Sequence, residues 1–344
     1  MAKRVTIKEI AGVLGVSTAT VSMVLNGKTD EIGQKTIDRV LKAAKQMQYS
    51  RNQVARSLVT QKSDTLAIVI PDIRNMFYSA IIKSISRVAN NNGYSILLCD
   101  TDNDFDKEFE QLRILDNRLI DGILLASRNS TELLTHYDNA RHLPIVILDE
   151  ESELIKDYVY TVASDNFLSG YRAAKQLLEL GHREFFFLTG VAGSTNSIRR
   201  EQGIKHALEE YGVTIKPDSF VHADYKMNNA YEIVHQQSTI NYTALIAFND
   251  LMAYGAMKAL REKQISVPRE VSVVGFDTNT SQAMFDDISG YRLTSINQNE
   301  KLIGEVATNT LLASLQNQAA EPAKQLLTAE WNSGNTIGKP RKGR

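Results

Sequence analysis

A single cysteine, Cys99, occurs in 344 residues. An intrachain disulfide and a cysteine metal site are thereby excluded, which fits a reducing cytosol. No stretch approaches the roughly 18 consecutive apolar residues that a membrane-spanning helix needs. The chain runs from Met-Ala-Lys-Arg directly into the polar TIKEI segment, without the apolar core of a secretory signal. A soluble cytoplasmic protein with no membrane partner is expected. The sequence also lacks G-x-G-x-x-G, a P-loop, H-E-x-x-H and G-x-S-x-G. Its six histidines (136, 142, 182, 206, 222 and 235) are scattered without metal-ligand spacing. Neither an enzyme nor a cofactor nor a metal site is expected.

Overall charge is also nearly absent, at −1, but its distribution is uneven. Residues 1–62 hold eleven Lys or Arg against four Asp or Glu, a net of +7, and the remainder of the chain carries −8. A basic head on an acidic body is the asymmetry expected when only the head meets nucleic-acid phosphate. The length implies two or three folding units, and a hydrophobic content of 43% supplies substantial cores.

The head reads as packed helices. Ile7, Ile10, Ala11 and Leu14 recur at helical spacing. Gly15 follows as a residue that tolerates the positive φ of a sharp bend. Ser17 stands at an N-cap position before a second helix over Thr18 to Val24. Ala11, Gly15 and Val21 have the spacing of a helix-turn-helix: Ala permits close approach, Gly makes the bend and Val fills the space between helices. A third helix is predicted beyond Asn26-Gly27, with Ile37, Val40, Leu41, Ala44 and Met47 on its apolar face and Lys35, Arg39, Lys42 and Lys45 available elsewhere. Gln53 to Leu58 also has a helical pattern, but a segment this short is marginal alone. It is expected to be helical only when supported.

From Thr65 the pattern changes to short apolar runs alternating with amphipathic ones. Strands are predicted at 65–71, 95–99, 122–126 and 144–149, with helices at 79–92, 107–118 and 133–141 between them. A second series has strands at 158–162, 184–188, 219–223, 244–248 and 272–276, with helices at 167–180, 198–211, 229–237 and 250–263. A strand at 293–296, a helix at 301–315 and one final strand at 325–330 follow. This alternation predicts parallel sheets covered by helices on both faces.

The motifs TIKEIA, GVSTATVSMVLNG, RVLKAA, VARSL, IPDIRNMFY, DGILL, LGHR, FNDLMAYGAM, VSVVGFD and LTSI occur in this order along almost the whole chain. In this the sequence resembles the lactose-repressor (LacI/GalR) family of bacterial transcription regulators. The resemblance implies an all-α helix-turn-helix headpiece and an α/β body like that of a periplasmic sugar-binding protein, made of two doubly wound parallel-sheet lobes. It also implies a homodimer on double-stranded, palindromic operator DNA, controlled by a small-molecule effector, most simply a sugar or related metabolite. The implied divisions are a headpiece at 1–50, a hinge at 51–62 and a body at 63–344. Lobe one would be about 63–161 with 292–322, and lobe two about 162–291 with 323–344.

Carried over residue by residue, Thr18 and Ala19 would face bases in the major groove. The next such position, often Arg or His in relatives, is Met23 here, which could read a base or join the core. Thr6, Ser17, Ser22, Asn26, Lys35 and Thr36 would contact phosphates or stand as solvated side chains. In the hinge, Arg51, Asn52 and Ala55 would lie against DNA, and Leu58 would wedge into the minor groove at the operator centre. Arg51 replaces the proline usual before Asn52. In the body, Asp72, Asn75, Phe77, Tyr78 and Asp149 of the first lobe would meet the effector. Asp165, Arg200, Tyr225, Asn249 and Asp277 of the second lobe would face them, with Gln298 near the crossover. Polyhydroxylated ligands call for such planar donors, carboxylates and aromatic faces. Thirteen residues follow Trp331 and none is leucine, so a dimer without a tetramerising leucine heptad is expected. Two other readings stay open: a family member governed by a phosphorylated carrier protein, and a sugar-binding protein with no DNA role.

Overall fold

The computed structural model describes residues 5–27, 29–49, 62–127, 130–137, 142–152, 156–277, 282–316 and 323–341. The expected hinge positions Arg51, Asn52, Ala55 and Leu58 lie outside the described residues. The chain divides into two compact units, Met1–Ser63 and Asp64–Arg344.

The first unit contains α1 (Ile7–Leu14), α2 (Thr18–Leu25) and α3 (Gln34–Gln46). Thr6 starts α1 through a reciprocal cap. Its hydroxyl accepts the Glu9 N–H at 3.3 Å, and its own N–H donates to the Glu9 carboxylate at 2.8 Å. Gly15, at φ 66°, ends α1 in the left-handed region. Ser17 then starts α2 by accepting the Thr20 N–H at 3.0 Å. Ile10, Ala11, Val21, Val24, Leu25, Val40, Ala43 and Ala44 make one core. One expectation for α3 needs correcting. Leu41 is 50% exposed, because Val40 and Ala44 take the inward seats and Leu41 lies about 100° around the helix from Val40. Arg39 is exposed on the other side of α3 as expected, and from there it donates to the Leu14 carbonyl at 2.9 Å and ties the end of α1 to α3.

The second unit contains two six-stranded sheets. The first has strand order β11-β5-β4-β3-β1-β2, from β1 (Thr65–Ile70), β2 (Ser95–Asp100), β3 (Gly122–Leu125), β4 (Ile145–Leu148), β5 (Val159–Ser164) and β11 (Lys324–Leu327), and all its pairs are parallel. Its helices are α4 (Met76–Asn91), α5 (Phe105–Asn117), α6 (Ser130–His136) and α12 (Glu300–Leu315). Residues of β1 alternate between two cores. Leu66, Ile68 and Ile70 face Ile81, Ile85, Ile303 and Leu311 of α4 and α12, whereas Ala67 and Val69 face Leu112, Leu115 and Leu133 of α5 and α6. Burial on both faces is why these strands read as unbroken apolar runs.

The second sheet has order β12-β10-β9-β8-β6-β7, from β6 (Phe185–Thr189), β7 (Phe220–His222), β8 (Ala244–Ala247), β9 (Ser272–Asp277), β10 (Thr294–Asn297) and β12 (Glu330–Asn332). Only β12 is antiparallel to its neighbour. Its helices are α7 (Asn166–Glu179), α8 (Thr195–Glu210), α9 (Met227–Gln236), α10 (Asp250–Glu262) and α11 (Gln282–Ser289). The last of these was not anticipated.

Strand membership departs from the expected lobe limits. Strand β5 belongs wholly to the first sheet, although a lobe change was placed at 161–162. Strand β10 lies in the second sheet although 292–322 was assigned to lobe one, and β11 lies in the first although 323–344 was assigned to lobe two. The single final strand expected at 325–330 is two strands in different sheets. The chain therefore passes between lobes after β5, after β10 and after β11. Helices α4 and α8 each start three residues before the apolar periodicity. Their true starts are the caps, Asn75 accepting from Phe77 N–H and Ser194 from Ser197 N–H.

Candidate binding cleft and nucleic-acid interface

In the first unit, Thr18, Ala19, Ser22, Met23 and Asn26 fall within an arc of about 140° on α2 at 3.6 residues per turn. Val21, Val24 and Leu25 occupy the buried side. Thr18, Ala19 and Asn26 are exposed, and Ser22 and Met23 are half-buried. Met23 is not among the residues that form or flank the headpiece core. Ser22 accepts from the Asn26 amide at 3.3 Å, which orders that edge of the helix. Thr6 and Ser17 serve as caps while remaining exposed, and Lys35 and Thr36 stand in the first turn of α3. Such a surface presents short polar groups, a methyl and a thioether, backed by the positive charge of the head.

In the second unit a cleft of about 490 Å³ opens between the C-terminal ends of the two sheets' strands. This is where ligands enter open parallel α/β sheets. Ten expected positions line it: Asp72, Asn75, Phe77, Tyr78, Asp149, Arg200, Tyr225, Asn249, Asp277 and Gln298. Asp165 does not. It caps α7 instead, accepting the Leu168 N–H at 2.8 Å, and its own N–H donates to Leu327 at the crossing between lobes. The position matches a family motif, but its carboxylate answers a helix N-terminus rather than the cavity.

Arg200 is 3% exposed and forms the cleft's fixed point. Its Nε donates to Asn166 Oδ1 at 2.8 Å, one terminal nitrogen to Gln298 Oε1 at 2.8 Å, and the other to the Phe248 carbonyl. The guanidinium lies over the Phe276 ring, 4.6 Å from its centroid, an arrangement that suits a planar cation. The Gln298 amide donates onward to Asp277 Oδ1, and Ser164 holds the Gln298 carbonyl at 2.9 Å. Burial pushes the Asp149 carboxyl up to about 8, opposed by Arg200 and reinforced by Asp277 and Glu150. Burial also raises Asp277, again against Arg200.

The walls are built from strained and packed pieces. Asp149 (φ 61°), Asp224 (φ 55°), Tyr225 (φ 59°) and Asp277 (φ 113°) are non-glycine residues with positive φ, a conformation that concentrates where side chains must be aimed. Asn249 caps α10 and donates to the Tyr225 carbonyl at 3.1 Å, which fixes that turn. The Tyr225 ring rests on Gly190, where a Cβ would come within 2.1 Å of it. Phe77 is both core and wall, with Tyr78 edge-on to it at 5.4 Å. Asp72 is held by Arg74 through two bonds of 2.9 and 3.0 Å at the rim.

Several lining residues were not anticipated: Asn103, Glu150, Ser194, Thr195, Asn196 and Asp224. Contacts among the described residues cross the cleft directly. Asn196 donates to the Asp149 carbonyl and, at 3.3 Å, to its carboxylate; Thr195 donates to Glu150 at 3.1 Å; Arg199 pairs with Glu151 at 3.5 Å. The usable signals were the acidic run DEES after β4 and the Ser-Thr-Asn cap before α8.

A three-helix head with a polar exposed helix, carried on the same chain as a two-lobed ligand-binding fold, defines a ligand-responsive DNA-binding regulator. Within that class, this chain belongs to the LacI family of bacterial regulatory proteins. The profile described as bacterial regulatory proteins of the lacI family matches residues 6–52, and that of periplasmic binding proteins and the sugar-binding domain of the LacI family matches residues 63–333. The transcriptional repressor PurR of Histophilus somni (strain 2336) is 31% identical over 92% of this chain and 94% of its own. The fold is that of the lac repressor dimer bound to operator and the anti-inducer ONPF, with a TM-score of 0.86 at 23% identity, covering 98% of this chain and 100% of that one. It is also that of a LacI-family regulator from Enterococcus faecium with bound ribose, with a TM-score of 0.70 at 24% identity, covering 80% of this chain and 100% of that one.

Proposed function

We propose that this protein is a cytoplasmic repressor that binds a palindromic operator as a homodimer and is governed by a sugar or related metabolite held in the interlobe cleft. What carries the reading is Arg200, a buried guanidinium fixed by groups from three chain segments. It sits close enough to Asp149 and Asp277 to lower the cost of their charge. Paired hydroxyls are suited to such a fork-and-carboxylate floor, with Phe77, Tyr78 and Tyr225 offering faces to the C–H side of a ring. Asp72, Asn75, Asn249 and Gln298 complete the effector set.

In the head, Thr18, Ala19 and Met23 read the major groove. Thr6, Ser17, Ser22, Asn26, Lys35 and Thr36 position it on phosphates. Of the hinge residues, Arg51, Asn52 and Ala55 contact DNA, Arg51 through attraction to phosphate, and Leu58 enters the minor groove. Met23 offers no bidentate donor, so a guanine preference at that step is not inherited from relatives with Arg or His there. The ligand acts by favouring one of two lobe arrangements. Such an effect requires different affinities for the two arrangements, typically about 1–3 kcal/mol of coupling.

The decisive experiment selects a DNA site from a random pool with the full chain, then measures electrophoretic shift on it against a panel of sugars. A two-fold symmetric site whose affinity responds to at least one small molecule, in either direction, is the expected result. Selection of no preferred sequence would sink the operator reading, and a site indifferent to every small molecule would sink the effector reading.

A further inference from the structure

Side chains discriminate bases in the major groove in two ways. Arg or Lys pairs with guanine, Asn or Gln with adenine and Glu or Asp with cytosine, whereas apolar groups pack on the thymine 5-methyl. Helix α2, the second of the helix-turn-helix and the one such a motif lays in the groove, has no side chain of the first kind. From Thr18 to Leu25 it reads TATVSMVL. Val21, Val24 and Leu25 are occupied in the headpiece core, and the Thr20 hydroxyl is hydrogen-bonded to Ser17 Oγ at 2.8 Å. The first amide after the helix, that of Asn26, donates back to Ser22 Oγ. The outward positions then form two strips of residues four apart, which are neighbours on a helix surface. Thr18 and Ser22 carry hydroxyls, which pair with several base edges or with phosphate and discriminate little. Ala19 and Met23 carry a methyl and a thioether methyl. Ala19 is exposed, and Met23, though half-buried, neither forms nor flanks the headpiece core.

We infer that α2 reads the operator through thymine methyl groups, with Ala19 and Met23 packed on the 5-methyls of thymines in each half-site, and that Met23 selects thymine at its step. This rests on the operator reading above and names the base chemistry it depends on. A wrong base at that step forfeits the methyl contact and also leaves a polar edge facing a side chain that cannot answer it. Guanine presents two acceptors to a group with no donor, and cytosine presents an amino group to a sulfur that accepts only weakly. Adenine presents one of each, and either edge loses its water without a replacement hydrogen bond.

The test uses the full chain and the DNA site it selects from a random pool. Each thymine of that site is replaced in turn by deoxyuridine, which keeps its base pairing and loses only the 5-methyl, and affinity is measured by electrophoretic shift. The expected result is at least one thymine in each half-site where the replacement weakens binding by about fourfold, the worth of one buried methyl-sized group. Met23→Leu keeps that penalty. Met23→Gln, of the same length, abolishes it at one thymine per half-site and raises the affinity for adenine there; unchanged binding to non-specific DNA at low salt shows that the head still folds. A selected site that tolerates deoxyuridine everywhere within twofold overturns the inference and leaves the operator reading standing. A penalty that persists undiminished at every thymine in Met23→Gln overturns the role of Met23. Selection of no preferred sequence overturns both this inference and the operator reading beneath it.

Discussion

Arg200 gathers acceptors from three places that are remote in sequence: Asn166 at the start of α7, Phe248 after β8 and Gln298 after β10. Truncating a buried, hydrogen-bonded charge of this kind costs roughly 2–5 kcal/mol. Arg200→Ala is therefore expected to weaken effector binding by a factor of about 30 or more while operator binding without effector persists. Arg200→Lys should not restore it, since one ammonium cannot span a planar fork; an unaltered effector response in either variant would refute the assignment. Asp165→Ala should do the reverse, lowering body stability by about 1 kcal/mol through loss of a cap with effector affinity unchanged. The buried carboxyls set a pH dependence with a definite sign. Asp149 and Glu300 are raised in the folded state to about 8, mainly by burial. The folded protein then binds more protons than the unfolded one, so stability falls as pH rises towards 8 and levels off above it. Calorimetric unfolding from pH 6.5 to 9 should show a shallower decline in Glu300→Gln. Residues beside distinctive motifs were legible at this scale: Asn249 in FND and Asp277 in GFD both reach the cleft. Glu150, Thr195 and Asn196 were not, because a surface loop and a helix cap look alike whether or not a second lobe faces them.

Helices α7 and α8 meet backbone to backbone. A Cβ on Gly170 would come within 2.2 Å of the Arg200 carbonyl oxygen, and one on Gly203 within 1.9 Å of the Phe167 carbonyl oxygen. The contact fixes where the Arg200 main chain can sit. Gly170→Ala is accordingly expected to cost about 1–3 kcal/mol by overpacking and also to lower effector affinity, because the displaced backbone is that of Arg200 itself. Urea unfolding paired with ligand titration separates this from Asp165→Ala, which loses stability alone; full affinity in a destabilised Gly170→Ala would disconnect the helix pair from the site. Elements with a long apolar period, such as α10 and α12, could be read from sequence to within a few residues. The C-terminal strands could not. β11 and β12 hold four and three residues, too few for any periodicity, and which sheet each joins depends on partners more than a hundred residues away for β11 and thirty-five for β12.

The two lobes are joined by three chain crossings, and among the described residues the cleft is crossed by contacts of Asp149 with Asn196, Glu150 with Thr195 and Glu151 with Arg199. The first two pairs line the cavity, so altering them confounds ligand contact with lobe equilibrium. Neither Arg199 nor Glu151 lines it, which makes that pair the means of testing closure alone. Glu151 is buried, and Lys324 of its own lobe stands 3.6 Å from it, so it keeps a cation when Arg199 is removed. Removal therefore weakens the closed arrangement without leaving a bare buried charge. A partly exposed ion pair is worth up to about 1 kcal/mol. If the effector needs both walls, its apparent affinity should fall by about fivefold in Arg199→Ala, because less of the protein is in the competent arrangement. Linkage adds a stricter requirement. In wild type and variant alike, the factor by which saturating effector changes operator affinity must equal the factor by which operator DNA changes effector affinity. Calorimetry of effector binding with and without DNA, set beside operator titrations with and without effector, measures both factors. An effector affinity unchanged in Arg199→Ala would mean that the ligand does not require the closed lobes, and the two-state mechanism would have to be abandoned.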